Sequence, residues 1–387
     1  MGMATAIPAW SDRQLESPRL RLAEFPKAMA VEARQRRVAV AIPIKNEEHY
    51  LPACLAAIDR AAEMFGGRVT IVAVLNDCSD GTLDVLTRWR PKFADVSWCA
   101  VSLLAGYRHA GWARRLAWDT AAGLLENDGD LLLSTDADTN VAPDWIVRTI
   151  AHIDGGADAV AGRALTIRRE REDLGSAARR RLDMIGRYYT ALDYLRADAE
   201  ASPHDPWPRH FYEGGASIAL SRGLYRRIGG APTPPVAEDR ALFDRIRCHG
   251  GRVRHALDVR VFTSCRIDGR APGGMADAVA RWIDQPDDGP LHETYGVAAA
   301  LDPDGAAERD RLSFATLPAA IAEAQRLIRL TRLAKPPQVE PVRVVPVAAD
   351  DGDRVAKGGM QFGERVVPAL GIIRFADPVH QQDMPAG

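Results

Sequence analysis

Apolar residues in the first 150 positions of this chain fall into short blocks separated by helical spacing. Arg37-Val-Ala-Val-Ala-Ile-Pro is a β-branched run that predicts a strand covered on both faces, as in a parallel sheet. Leu51, Leu55 and Ile58 then follow helical spacing until Gly66-Gly67 stops it. Val69-Thr-Ile-Val-Ala-Val-Leu predicts a second buried strand, Thr82 to Trp89 a helix, Val96 to Val101 a third strand and Gly111 to Leu125 another helix. Leu131-Leu-Leu-Ser predicts a fourth strand, and Pro143 suits the first turn of the next helix. Strands alternating with helices of this length predict βαβ units with right-handed crossovers and a mostly parallel sheet.

Beyond residue 160 the pattern changes. Arg163 to Arg187 is rich in arginine with interspersed acids, which reads as a solvated helix face rather than an anion site. Leu182, Ile185, Tyr189 and Leu192 lie on one helical face and predict core packing. A helix is expected from Glu238-Asp239 through Leu242, Phe243 and Ile246 to Gly250-Gly251, then one or two strands over Val253 to Thr263, and an amphipathic helix from Pro318 to Ala334. These breaks predict four regions: an N-terminal arm (1–36), a first half (37–158), a second half (159–334) and a Pro/Gly-rich, partly ordered tail (335–387).

Composition narrows the class. Lys plus Arg number 50 against 52 Asp plus Glu, so the 387-residue chain carries a net charge of -2 and no global field for nucleic acid. The five cysteines are scattered with no C-x-x-C pair, so neither a disulfide framework nor a zinc site is expected, and the reading is a reduced, cytoplasmic chain. The N-terminus lacks a signal-peptide layout and the apolar stretches fall far short of the ~20 residues of a membrane span, so a soluble chain with no transmembrane segment is expected.

The chemistry-bearing clusters fall where the strands end, which is where open α/β sheets bind ligands. These are Lys45-Asn-Glu-Glu, Asn76-Asp-Cys-Ser-Asp-Gly and Asp136-Ala-Asp138. Neither G-x-G-x-x-G after the first strand nor G-x-x-x-x-G-K-[ST] occurs, so the acids need another explanation. In an extended segment Asp136 and Asp138 would point the same way and could hold a hard divalent cation that bridges phosphate oxygens. An Asx turn leading into the following helix is the plainer alternative.

In this order, with His109-Ala-Gly-Trp-Ala-Arg-Arg between the second loop and the D-x-D and Glu238-Asp239 about a hundred residues later, the segments resemble the GT-A-fold glycosyltransferases of family 2. The resemblance spans about residues 37 to 282 and implies that 37–158 is the nucleotide-sugar-binding half and 159–334 the acceptor-binding half. It implies an α/β fold with a GT-A-type mixed, mostly parallel sheet flanked by helices, and an NDP-sugar donor with Mn²⁺ or Mg²⁺. Pro43, Asn46 and Glu47 match the loop that receives the nucleotide, and Asp77, beside Asn76, matches the acid that reads the base, usually uracil. The commonest pattern has an acid in place of Asn76. Gly111 and Arg114 match a segment near the diphosphate, with Arg115 replacing the usual Asn. Asp136 and Asp138 match the D-x-D, Asp138 as direct metal ligand, and His255 matches a histidine that completes the metal shell in some relatives.

On the acceptor side, Glu238-Asp239 matches the acid pair opening a helix, Asp239 in the general-base position. Acids in a first helical turn also simply complement the helix dipole. Gly214 and Gly215, in Glu213-Gly-Gly-Ala-Ser-Ile, match the acceptor-lining segment. Arg266 and Arg270 lie on a loop able to close on the diphosphate, where the bidentate donors of arginine suit phosphate. Ala278-Val-Ala-Arg281-Trp282 resembles the Q-x-x-R-W of processive synthases but has Ala278 in the Gln position, so one bond per acceptor is expected. The implied activity is transfer of a sugar from an NDP-sugar, UDP favoured, to an unidentified hydroxyl acceptor with anomeric inversion. The alternatives are a retaining enzyme of the glucosyl-phosphoglycerate synthase type, a non-catalytic nucleotide-sugar-binding module and, more remotely, a nucleotidyltransferase.

Overall fold

The computed structural model describes residues 21–22, 36–200, 202–270, 274–302 and 308–334. The chain divides into units 1–336 and 337–387. The second unit lies outside the described residues, as do nearly all of the expected N-terminal arm and the whole of the expected tail.

One mixed sheet organises the first unit. Its strands are β1 (Arg21–Leu22), β2 (Val38–Ile44), β3 (Val69–Asn76), β4 (Asp95–Ser102), β5 (Leu131–Ser134), β6 (Thr139–Val141), β7 (Ala159–Thr166), β8 (Ile218–Ser221) and β9 (Val253–Thr263). Their spatial order is β1-β4-β3-β2-β5-β8-β7-β9-β6. The run β4-β3-β2-β5 is parallel, as the apolar blocks predict, and helices Leu51–Phe65, Thr82–Arg88 and Ala110–Leu124 make its crossovers. Chain order runs away from β2 on both sides, toward β3 and β4 one way and β5 the other. The carboxyl ends of β2 and β5 therefore flank the switch point at which such sheets bind ligands.

Alternation along β2 builds two cores. Val38, Val40, Ile42 and Ile44 pack with the buried face of helix Leu51–Phe65 and with Trp145 and Ile146. Ala39 and Ala41 face the other way, against Leu116, Ala117 and Trp118 of helix Ala110–Leu124. The small residues on this face let helix and sheet approach closely, and the gap beyond is filled by Trp118 stacked on Tyr225 with ring centroids 5.5 Å apart. A third core joins Ile185, Tyr188 and Leu192 of helix Gly175–Glu200 to Phe314, Leu317 and Ile321. The apolar stripe expected at 182–192 is thus core packing. Gly66, in the left-handed region at φ 68°, ends the first helix where the glycine pair predicts.

The second half departs from a simple βαβ reading. Strand β8 runs antiparallel to both β5 and β7 in the middle of the sheet. Strands β7 and β8 escape the hydrophobic pattern because β7 is alanine-rich with Arg163 inside it and β8 has only four residues. Val253 to Thr263 is a single strand, with a register irregularity opposite Gly162 and Arg163. Pro143 is not in the first turn of the helix: it lies in the turn that follows β6, and the helix begins at Trp145 with Asp144 at its N-cap.

Candidate active site

The D-x-D segment is a tight turn, which corrects the extended geometry expected from spacing. The Thr139 amide donates to the Asp136 carbonyl at 3.1 Å, and the chain then reverses into β6. The two carboxylates consequently have different partners. Asp136 Oδ1 accepts from Arg114 at 2.9 Å, whereas Asp138 Oδ2 pairs with Arg266 at 3.0 Å and its Oδ1 lies 3.4 Å from the Thr263 hydroxyl. Burial, with the negative charge of Asp136 and Glu47 nearby, pushes the Asp138 carboxyl up to about 7 although Arg266 opposes the shift. The same acids and its own burial push the Cys54 thiol up, and that thiol donates to the Asp136 carbonyl at 3.5 Å.

Among the described residues, no three His, Cys, Asp or Glu side chains converge as a preassembled metal site. The chemistry nevertheless fits a hard dication. Asp136 and Asp138 offer only oxygen, the donor type a hard dication takes. His255 does not belong to this set. Its Nδ1 faces Asp205 Oδ2 at 2.7 Å and its Nε2 faces Glu213 Oε1 at 2.9 Å. Both ring nitrogens thus face carboxylates of other segments and neither faces the D-x-D, which departs from the metal-ligand arrangement expected for His255. It is instead the hub of a network in which Asp205 also accepts from Arg209 and Arg254, each at 2.8 Å.

Two strand-end loops are zipped together on the donor side. Asn46, in the left-handed region at φ 53°, accepts the Ser79 amide on its Oδ1 at 2.8 Å. The Glu47 amide donates to the Thr82 hydroxyl at 2.8 Å, leaving the buried Glu47 carboxylate to the fork of Arg266. Pro43 ends the apolar run one residue before the loop, within β2. Asn76 is buried and its Oδ1 has no hydrogen-bond partner among the described residues. Asp77, also at positive φ, accepts from the Ser102 hydroxyl at 2.7 Å and lies 3.6 Å from Arg108. Arg270 Nε donates to the Asn46 carbonyl at 3.3 Å, so the basic loop reaches the first-strand loop.

Arg114 organises the acceptor side. Its guanidinium, buried, donates to Glu238 Oε1 at 3.0 Å, Asp136 at 2.9 Å, the Gly215 carbonyl at 3.2 Å and the Ser134 hydroxyl at 3.3 Å. These bonds engage Nε and both terminal nitrogens, so Arg114 ties the D-x-D turn to helix Glu238–Cys248. Glu238 is likewise buried in that pair and is a positioning residue here. Gly215 has to be glycine, because a Cβ there would lie 2.0 Å from Arg114. A Cβ on Gly214 would strike the Tyr212 ring at 2.1 Å, and one on Gly111 would meet the Pro234 carbonyl at 2.2 Å. These three glycines therefore permit close packing around the site.

Asp239 is different from its neighbour. It is only half-buried, its Oδ2 accepts the Gly215 amide at 2.9 Å and its Oδ1 accepts the Arg240 amide at 2.8 Å. Burial pushes its carboxyl up, opposed by Arg114 and reinforced by Glu238. The arrangement thus offers a fixed, partly solvated base of increased proton affinity across Arg114 from the D-x-D. Residues not singled out from sequence complete the frame. Tyr50 lies under Arg266 with its ring centroid 4.9 Å from the guanidinium carbon, and Thr263 joins Asp138 to Thr139. Both lie beside singled-out residues in the chain, Tyr50 after Glu47 and Thr263 before Arg266, but their partners Arg266 and Asp138 come from distant segments.

Comparison with known proteins agrees with this geometry. Residues 39–207 match the model of the family described as glycosyl transferase family 2. Over these residues the chain is similar to family 2 glycosyltransferases, and the same stretch carries the parallel run β4-β3-β2-β5 of the sheet. Among curated relatives, an undecaprenyl-phosphate 4-deoxy-4-formamido-L-arabinose transferase of Pseudomonas syringae is 33% identical over 137 residues, 35% of this chain and 37% of that protein. The chain therefore spans little more than a third of the length of the curated relatives it matches. Among solved structures, a mannosyltransferase from Pyrobaculum calidifontis, in complex with GDP-Man and Mn²⁺, is 20% identical, with a TM-score of 0.42 over 84% of this chain and 81% of that one. Glucosyl-3-phosphoglycerate synthase from Mycobacterium tuberculosis is 18% identical, with a TM-score of 0.39 over 66% and 81%.

Proposed function

We propose that this protein is a glycosyltransferase that moves a sugar from an NDP-sugar, UDP favoured, to a hydroxyl acceptor, one bond per encounter, with divalent-metal dependence and inversion at the anomeric carbon. The observation that carries the reading is Asp239: a carboxylate with raised proton affinity, held by two backbone amides and placed across Arg114 from the D-x-D.

In this reading Asp138, with Asp136, would hold Mg²⁺ or Mn²⁺, which when bound supplies neutralising charge for the departing diphosphate. Asp239 accepts the proton of the acceptor hydroxyl as its oxygen bonds to the anomeric carbon. The bond from that carbon to the donor phosphate oxygen breaks, and the nucleoside diphosphate leaves with the electron pair. Arg270, with Asn46 and Glu47, lines the diphosphate side. Asp77 takes the imide N–H of the base, which is the basis for favouring uracil. Gly214 and Gly215 bring bare backbone to the acceptor, and Arg114 holds both halves in register.

A thermal-shift panel of NDP-sugars with and without Mn²⁺ tests the donor assignment. A donor present at a hundred times its dissociation constant stabilises the fold by about 2.7 kcal/mol. Asp138→Asn should abolish the metal-dependent part of that shift, and Asp136→Asn should weaken it. Donor binding by Asp138→Asn with unchanged Mn²⁺ dependence rejects the metal assignment. A product that retains the donor's anomeric configuration, read by NMR, rejects inversion and with it the role of Asp239.

A further inference from the structure

We infer that Arg266 is the D-x-D's own counter-cation, so that donor and divalent metal are taken up together and the metal alone binds weakly. This rests on the metal-dependent reading above and concerns how the same site is regulated. Arg266 donates its fork to both oxygens of Glu47, at 2.8 Å for Nη1–Oε2, and pairs with Asp138 Oδ2 at 3.0 Å. Asp138 Oδ2 is thus already paired with a cation, and it belongs to the carboxylate that the reading above gives to a hard dication. A guanidinium and a dication on the same carboxylates repel each other, so one has to leave for the other to enter.

The loop that carries Arg266 is fastened so that this exchange is local. The Ser264 hydroxyl donates to Glu170 at 2.6 Å, the Cys265 amide to the same carboxylate at 3.0 Å, and the Arg266 amide to the Ser264 hydroxyl at 3.2 Å. The loop's base is therefore held at the ends of β7 and β9, while the guanidinium rests on the open face of Tyr50. A nucleoside diphosphate supplies an alternative partner matched to the arginine fork. Moving Arg266 onto it releases Asp138 to the cation. Donor and metal then raise each other's affinity by one common factor, as linkage requires.

The test is Mn²⁺ binding, followed by calorimetry and by the EPR signal of free Mn²⁺, with UDP present or absent. For the unaltered protein, UDP should tighten Mn²⁺ at least tenfold. Arg266→Gln should bind Mn²⁺ alone at least tenfold more tightly than wild type, and the further gain from UDP should shrink by a similar factor. Arg266→Lys keeps the charge without the fork and should fall between them, which preserves the test if the Gln variant folds poorly. Asp138→Asn, in either background, should abolish Mn²⁺ binding, with no calorimetric heat and the free-Mn²⁺ EPR signal at its protein-free amplitude. Equal or weaker Mn²⁺ binding by Arg266→Gln, in a protein whose wild type binds Mn²⁺ with UDP, overturns this inference alone. Absence of Mn²⁺ binding by every variant with and without UDP overturns it together with the metal-dependent reading.

Discussion

Two arginines each hold one acid of the D-x-D, and they do so in opposite ways. Arg114 rides on a helix packed against the sheet, and its partners come from a strand end, a backbone carbonyl and a second helix. Arg266 rides on a loop, and its partners are the two carboxylates and the aromatic face that border the donor side. The same ion-pair chemistry is a girder in the first case and a latch in the second. What separates them is how many elements of the fold move if the bond breaks. Releasing Arg114 uncouples the D-x-D turn from the helix that carries Asp239, whereas releasing Arg266 frees only the loop tip.

The largest effect is expected at the girder. Arg114→Met leaves Glu238, Asp136 and the Gly215 carbonyl without their shared donor, and breaking a buried pair in this way costs about 3–5 kcal/mol. Urea unfolding measures this directly, and a variant as stable as wild type would erase the contrast. Next comes Asp239→Asn, which keeps an acceptor for the Gly215 amide but removes the base. It should lower kcat by about 10²–10⁴-fold while donor affinity and Tm stay near wild type. A fall in stability as large as that of Arg114→Met would mean that Asp239 is itself part of the frame.

A smaller effect concerns the support under the acceptor segment. His210 lies buried between the Ala161 carbonyl, 2.9 Å from its Nε2, and the Tyr212 amide, which donates to Nδ1 at 3.1 Å. Both bonds are made by the neutral ring. Burial, and then the neighbouring His255, lower its pKa to about 3, whereas an unfolded histidine titrates near 6.5. Between those values the unfolded chain binds more protons, so the contribution is complete above about pH 6.5 and is lost as pH falls. From about pH 6.5 to 5 the loss is about 1.5 kcal/mol. His210→Gln should flatten that part of the stability profile, and an unchanged slope would place the titrating group elsewhere. The latch should cost less than the girder: Arg266→Gln should lose about 1.5–3 kcal/mol, the range for hydrogen bonds to charged groups. A loss matching that of Arg114→Met would make the two arginines alike.

Much of this architecture was legible along the chain. The parallel run β4-β3-β2-β5 follows from apolar blocks separated by helical spacing, because a strand buried on both faces needs apolar residues at every position. The strand-end clusters were legible for the same reason: polar residues that interrupt such runs mark where the sheet stops. Glu238 and Asp239 showed as adjacent acids opening a helix. Which of the two is committed to a buried ion pair could not be read, because adjacent helical positions point about 100° apart and only packing selects the inward one.

Other features were decided by the assembled fold. Short, alanine-rich strands such as β7 and β8 are stabilised by the sheet they enter, and their own sequence carries little signal. The D-x-D became a turn because β6 pairs with β9, more than a hundred residues away in sequence. His255 turned from the metal toward Asp205 and Glu213 for a similar reason, since those carboxylates reach it from other segments. A linear chain specifies which groups are present and which face of a local element they occupy. Whether a charged side chain becomes girder, latch, ligand or base depends on which opposite charges arrive beside it and how much water remains. That is a property of the packed structure.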